Sequence, residues 1–132
     1  MHILTAPMLA AGITLACTLP LQAFELTFEW GALKLCTSGS PNTVTNPTFI
    51  LTDVPPGTRF IRFKLVDNDA PGYRHGGGTI AYSGADTILP GAFSYKSPCP
   101  PNGSHTYVWH ATAQRAKNGG VIKVATSAKD YP

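Results

Sequence analysis

Apolar and polar residues alternate along several short stretches of this chain, with the period of two that is typical of half-buried β-strands. The stretch 24–35 begins Phe-Glu-Leu-Thr-Phe-Glu-Trp, and the stretch 59–66 alternates Ile, Phe and Leu with Arg and Lys. A third alternation runs over 105–113, where the turn signal Lys-Asn-Gly-Gly precedes a possible hairpin partner at 121–126. Each stretch is therefore predicted to be a strand with one face in the core.

Segments rich in glycine and proline separate these strands. Residues 37–47 are mostly Ser, Thr, Asn, Gly and Pro, which predicts a loop, and a second loop is predicted over 67–78. Shorter strands are predicted at 49–52 and 79–82. The chain has 13 glycines and 12 prolines, and its sequence shows neither an internal repeat nor a convincing amphipathic helix. This pattern predicts an all-β, mainly antiparallel domain with few or no helices.

The N-terminal region of the chain is uncharged. Residues 1–23 contain no Lys, Arg, Asp or Glu, and they end in Leu-Gln-Ala. This pattern predicts a secretory signal peptide over 1–23, a mature domain over 24–132, and a periplasmic or secreted location. A single membrane anchor is the alternative, but two prolines and a threonine interrupt a run that would need about 20 apolar residues. We therefore expect no stable membrane span in the mature chain.

Two cysteines remain in the predicted mature domain, Cys36 and Cys99. An exported protein meets an oxidising compartment, which favours a disulfide between them. Such a bond would close a loop of about 60 residues and contribute about 4 kcal/mol on the chain-entropy estimate. Two buried free thiols are the alternative.

Charge and motifs exclude several classes of function. The net charge is +3, only 13% of residues are charged, and no basic run forms the footprint of a nucleic-acid-binding protein. The sequence contains no Gly-x-Ser-x-Gly nucleophile motif, no phosphate-binding Gly-Lys-Ser/Thr loop and no Cys-x-x-Cys pair. We therefore expect neither nucleic-acid binding nor one of these motif-defined enzyme classes.

Two loops carry the candidate chemistry. Asp67 and Asp69 in the first could share a metal ion, but Asp and Asn are ordinary turn formers and the EF-hand glutamate is missing. No metal and no other cofactor is therefore predicted. In the second loop, Lys-Ser-Pro-Cys-Pro-Pro-Asn-Gly-Ser leads directly into His105, and Tyr107 shares the strand face of that histidine. A stiff loop before His105 suggests that the ring is held over a ligand.

Two separated stretches together resemble the phosphatidylethanolamine-binding protein family. The first runs from Cys36 through Val-Pro-Pro-Gly-Thr at 54–58 to Leu-Val-Asp-Asn-Asp-Ala-Pro at 65–71. It is similar to the family's Gly-Asn-x-Ser-Pro element, Val-Pro-x-Gly-Thr turn and Asp-Pro-Asp-Ala-Pro loop, in the same order. The second, Pro-Cys-Pro-Pro-Asn-Gly-Ser-His-Thr-Tyr at 98–107, is similar to the family's Gly-Pro-x-Pro-Pro-x-Gly-x-His-Arg-Tyr element. The resemblance covers residues 36 to 109, and small secreted bacterial members are the most similar.

The resemblance implies both a fold and a site. The family fold is a large antiparallel sheet packed against a smaller one, with a shallow cavity that accepts phosphate, acetate or a phospholipid head group. By motif match, Asp67, His105 and Tyr107 would bind the ligand. His75 would join them, although it lacks the Trp or Phe neighbour of the family. Rigid pocket walls would come from Pro71, Pro98 and Pro100.

Some positions depart from the family motifs. Asn68 replaces a proline, Ser97 a glycine and Thr106 an arginine, and the tail is too short for the family's C-terminal helices. The leading hypothesis is a non-enzymatic protein that binds a small anion or a phospholipid head group, and binds it better below neutral pH, where His105 gains charge. The alternatives are a protease inhibitor or protein-interaction module, whose partner would be a protease or another protein, and a hydrolase that uses His105 with Asp67.

Overall fold

The computed structural model describes residues 2–16 and 23–132 of the chain. The predicted signal peptide therefore lies partly outside the described residues, at residue 1 and residues 17–22. The described part contains strands and no helix, as the alternation predicted. The strands are β1 (Glu25–Glu29), β2 (Thr43–Thr45), β3 (Thr48–Thr52), β4 (Phe60–Asp67), β5 (Gly77–Ala81), β6 (Thr87–Ile88), β7 (Ser94–Lys96), β8 (His105–Ala116) and β9 (Gly119–Tyr131).

The strands form one large sheet and two smaller ones, and every pairing is antiparallel. The large sheet has four strands in the order β5-β4-β8-β9. A three-stranded sheet has the order β1-β3-β6, and β2 pairs with β7. With no helix among the described residues, none there is long and apolar enough to cross a membrane.

The core lies between the large sheet and the three-stranded sheet. The alternating residues Ile61, Phe63 and Leu65 of β4 are buried, as are Leu26 and Phe28 of β1, so these faces were predicted correctly. Each such side chain stabilises the fold by about 1.5–3 kcal/mol when it leaves water. Aromatic stacking joins the two layers, with ring centroids 4.4 Å apart between Phe49 and Phe63 and 5.0 Å apart between Phe49 and Trp109.

Several strand boundaries differ from the prediction. The first strand ends at Glu29 rather than Leu35, and Gly31 follows with a φ of 75°, which is outside the strand region. The predicted loop 37–47 contains β2, whose Val44 pairs with Tyr95 of β7. Neither β6 nor β7 was predicted, because two or three residues are too few to show a period.

A disulfide joins Cys36 to Cys99, with an S–S distance of 2.01 Å and Cα atoms 4.6 Å apart. The predicted bond is therefore present. It links the segment before β2 to the proline run before β8, and the amide of Gly39 donates to the carbonyl oxygen of Cys99 at 3.1 Å. These contacts hold the proline run against the body of the domain.

Candidate functional site

The pairing of β4 with β8 brings Asp67 beside His105. Asp67 ends β4 and pairs with Tyr107, so His105, the first residue of β8, lies just beyond it at the same edge of the sheet. His105 Nδ1 is 2.7 Å from Asp67 Oδ2, and the two side chains are 18% and 5% exposed. A carboxylate oxygen accepts, so Nδ1–H donates and the Nε2 atom of His105 remains for a ligand.

The carboxylate of Asp67 is also held by its own loop. Its Oδ1 accepts hydrogen bonds from the amides of Asp69 at 2.8 Å and Ala70 at 3.2 Å. Burial alone would raise the pKa of Asp67, but the hydrogen bonds from His105 and the Asp69 amide outweigh it and hold the pKa below its usual value. Asp67 is therefore ionised at neutral pH.

Tyr107 lies beneath this pair and is almost fully buried. Its burial, followed by the nearby Asp67 carboxylate, raises the pKa of the Tyr107 hydroxyl well above its usual value. The phenol therefore keeps its proton and can donate it to an acceptor. The ring is fixed by edge contacts with Trp30 and His75, at centroid distances of 5.8 and 5.5 Å.

His75 is also brought to the site, as a buried and neutral ring. Its Nδ1 lies 2.7 Å from the carbonyl oxygen of Lys96, which can only accept, so Nδ1 carries the hydrogen and Nε2 is an acceptor. Burial lowers the pKa of His75 even though the Lys96 carbonyl and the Asp67 carboxylate act in the opposite direction. The Trp or Phe neighbour of the family motif is absent, and Tyr73 packs against the His75 ring instead, with its ring centroid 4.6 Å away.

A cavity of about 140 Å³ lies among these side chains. Asp67, His75, His105 and Tyr107 all line it, so the structure brings the four predicted site residues together. Of the predicted walls only Pro100 lines it, and the other two were wrong. Pro98 is buried beneath the surface, while Pro71 is exposed and faces a different concavity. The remaining lining residues are Gly39, Pro41, Ala70, Tyr73, Cys99 and Pro101.

Asp67, Asp69 and His105 place potential metal-ligating atoms within 4.8 Å of one another. Carboxylate oxygens of the two aspartates already accept hydrogen bonds from other groups of the protein. Both oxygens of Asp67 accept hydrogen bonds, and Asp69 Oδ2 accepts from the amide of Thr106 at 2.8 Å. Local hydrogen bonding therefore explains why these three residues lie together, and we assign them a structural role beside the cavity.

The three positions that depart from the family motifs are all hydrogen-bonded. Thr106 donates through Oγ1 to Asp130 at 2.7 Å, and its carbonyl accepts from the amide of Asn68 at 2.9 Å. Ser97 Oγ accepts from the amide of Asn42 at 3.0 Å. These residues thus keep the two loops attached to the sheet without the proline, glycine and arginine of the family motifs.

Comparison with known proteins identifies the architecture. No protein-family model and no curated protein sequence matches the chain. Among solved structures, it is similar to a phosphatidylethanolamine-binding protein (PEBP) homologue, CT736, from Chlamydia trachomatis, with a TM-score of 0.60 over 83% of this chain and 97% of that one. The chain has a PEBP-like fold. The sequence identity is 16%, so the likeness concerns the fold and does not transfer a ligand.

Several cavity residues of this PEBP-like domain were not predicted. Gly39 lies at a φ of 81° close to Pro101, where an added Cβ would come 3.3 Å from the proline ring, so the close approach favours glycine. Pro41 and Tyr73 lie in loops, and only the tertiary structure brings these loops to the cavity. Tyr73 lies outside the strands, where no period of two indicates which side chains share a face.

Proposed function

We propose that this PEBP-like protein is a non-enzymatic binding protein, periplasmic or secreted, that takes a small anion or the anionic part of a phospholipid head group. The observation that carries the proposal is the His105–Asp67 pair at 2.7 Å, which leaves Nε2 of His105 unpaired in a cavity that Tyr107 also lines. An imidazolium and a phenol can both donate to an anionic oxygen, and charge-assisted hydrogen bonds are the stronger kind.

The size of the cavity limits the ligand. Pockets for drug-sized molecules usually measure about 300–1,000 Å³, whereas this cavity measures about 140 Å³. It suits a group the size of phosphate or acetate. If a phospholipid binds, its acyl chains lie outside this cavity.

The charge of the cavity makes binding depend on His105. No Lys or Arg is among the described residues that line it, and Asp67 contributes a negative charge. His75 is neutral, so His105 is the cation that can offset Asp67 and attract an anion. Histidine changes charge between pH 5 and 8, and we therefore expect tighter binding in mildly acid solution.

Binding is better supported than catalysis or inhibition. Among the described lining residues there is no serine or threonine, and Cys99 is held in the disulfide, so the cavity offers the Asp–His pair no Ser, Thr or Cys nucleophile. A protease inhibitor would be expected to present an exposed loop with an apolar tip. Here Pro98 and Pro100 are buried, and the exposed part of the loop is Pro101-Asn102-Gly103-Ser104, in which Pro101 is the one apolar side chain.

The proposal can be tested by site-resolved NMR titration with phosphate, acetate and glycerophosphoethanolamine. We expect chemical-shift changes at the amides of Ala70 and Tyr107, and their loss in His105→Ala. A matched control is His110→Ala, which removes a histidine from the opposite face of β8. Shifts at the cavity that survive in His105→Ala would contradict the proposed role of this ring.

A further inference from the structure

A second concavity, of about 520 Å³, lies on the outer side of the β4–β5 connection. We call it the basic cleft and define it by its lining residues, 62–66 and 71–79. Three of its side chains, Arg62, Lys64 and Arg74, are cationic and exposed. None of the described lining residues is an aspartate or a glutamate.

The three cations are placed by the fold. Arg62 and Lys64 lie two apart on β4, so they project from the same outer face, opposite the buried Phe63. Arg74 belongs to the loop that leaves β4 and folds back towards β5. None of the three forms an ion pair within residues 2–16 and 23–132. Their charges are therefore available to an external ligand.

The glycine run after His75 allows β5 to pack closely beside β4. A Cβ on Gly77 would overlap the carbonyl oxygen of Phe63, and one on Gly78 would come 2.6 Å from Cβ of Phe93. Only glycine allows β5 to pack this closely at both positions. The glycines thus have a structural role, because they allow β5 to pair with β4 directly after the loop that carries Arg74.

The basic cleft is separate from the small cavity. Tyr73 and His75 line both concavities, so the segment 73–75 forms the wall between them. Arg74 lines the cleft only, whereas Asp67 and His105 line the cavity only. A ligand can therefore occupy the cleft without contacting the His105–Asp67 pair.

We propose that the basic cleft is a second binding site, for a soluble polyanion that carries at least two phosphate or sulfate groups. Three exposed cations in a cleft that no carboxylate lines, among the described residues, complement several negative charges. Guanidinium groups bind the oxygens of such ligands through two parallel hydrogen bonds. The site is concave, which favours a compact soluble ligand over the flat surface of a bilayer. This site does not depend on anion binding at His105.

The test is calorimetric titration of tripolyphosphate into the mature protein, at low and at physiological ionic strength. We expect binding that weakens with salt, because the contacts are partly exposed. Loss of each cation should lower the affinity by about threefold, so the triple variant Arg62→Gln/Lys64→Gln/Arg74→Gln should bind at least about tenfold more weakly. The circular dichroism spectrum of this variant should match that of the wild type.

A matched control removes the same charge elsewhere. Arg115→Gln/Lys117→Gln/Lys123→Gln alters three exposed cations outside the cleft and should bind tripolyphosphate almost as well as the wild type. His105→Ala should also bind it normally, which separates this proposal from the one for the cavity. Equal weakening of both triple variants, loss of binding in His105→Ala, or stronger binding to phosphatidylglycerol vesicles than to tripolyphosphate would overturn the proposal.

Discussion

His105 Nδ1 lies 2.7 Å from Asp67 Oδ2, although 38 positions separate the two residues in the sequence. The contact follows from the register of β4 against β8, in which Asp67 pairs with Tyr107. A slip of one residue would turn His105 to the opposite face of the sheet, away from the carboxylate. The buried faces of both strands prevent that slip, so the hydrophobic pattern of the core also determines the geometry of the site.

Replacing Asp67 with Asn should destabilise the fold and change its response to acid. The variant loses a charged hydrogen-bond acceptor, which should cost about 1–3 kcal/mol at pH 7. The folded-state pKa of Asp67 is lowered, so its stabilisation is complete above the unfolded value and is lost as the pH falls through the folded value. Urea unfolding from pH 7 to about pH 3 should therefore show a shallower loss of stability in Asp67→Asn than in the wild type.

Asp53→Asn is the matched control for this experiment, because Asp53 is exposed and forms no ion pair among the described residues. It should follow the acid response of the wild type. If Asp67→Asn loses stability in acid as steeply as the wild type does, the His105–Asp67 pair does not contribute as described.

Replacing Tyr107 with Phe should weaken ligand binding with little effect on the fold. The change removes a hydroxyl that stays protonated because burial and then Asp67 raise its pKa. A hydrogen bond to a charged group contributes about 1.5–3 kcal/mol, so anion affinity should fall by about tenfold or more. Tyr82→Phe, which removes an exposed hydroxyl bonded to Asp86, should leave the affinity unchanged. If Tyr107→Phe binds the anion as tightly as the wild type does, the hydroxyl does not contact the ligand and has only a structural role.

Loss of the disulfide should destabilise the domain and loosen the cavity. Cys99 lines the cavity beside Pro100, and the bond joins residues 63 positions apart. The variant Cys36→Ala/Cys99→Ala should lose about 4 kcal/mol of unfolding free energy in urea and bind anions more weakly. Intact mass before and after reduction, on protein recovered from the periplasm, checks the bond itself. Two free thiols in that sample would contradict the account.

Export should remove residues 1–23 and leave Phe24 at the N-terminus. The motivation is the uncharged run that ends in Leu-Gln-Ala. In the structure, Phe24 is buried and is followed at once by β1, so a cut before it leaves the domain intact. Sequencing of the exported protein from its N-terminus checks this prediction. A sequence that begins at Met1, or a lipid on Cys17, would be incompatible with it.

The longer strands and the main site residues were accessible from the sequence, for a physical reason. A period of two becomes visible once four or more residues alternate, as they do in β4 and β8. The motif resemblance then named Asp67 and His105 at the ends of those two strands. Because the end of one antiparallel strand lies beside the start of its neighbour, their contact could be anticipated.

Other parts of the site could not be predicted, because they depend on tertiary packing. The tautomer of His75 is set by a carbonyl of β7, a strand of three residues that shows no period. A proline in the sequence also does not reveal which way it faces. Pro71 and Pro98 were wrong as walls of the cavity, whereas Pro41 and Pro101, which lie within the two family-like stretches but were not predicted as walls, line it.

The central claim is that a small anion binds in the cavity through protonated His105. The most direct measurement is an NMR titration of sulfate at about pH 5.5 and about pH 8, across the range in which histidine changes charge. Sulfate is the better probe because it keeps the same charge at both pH values, whereas phosphate changes charge between them. The account predicts shifts at the Ala70 and Tyr107 amides in the wild type, with affinity about tenfold higher at the acid pH, and no such shifts in His105→Ala. Cavity binding that is independent of pH, or that is unchanged in His105→Ala, would contradict it.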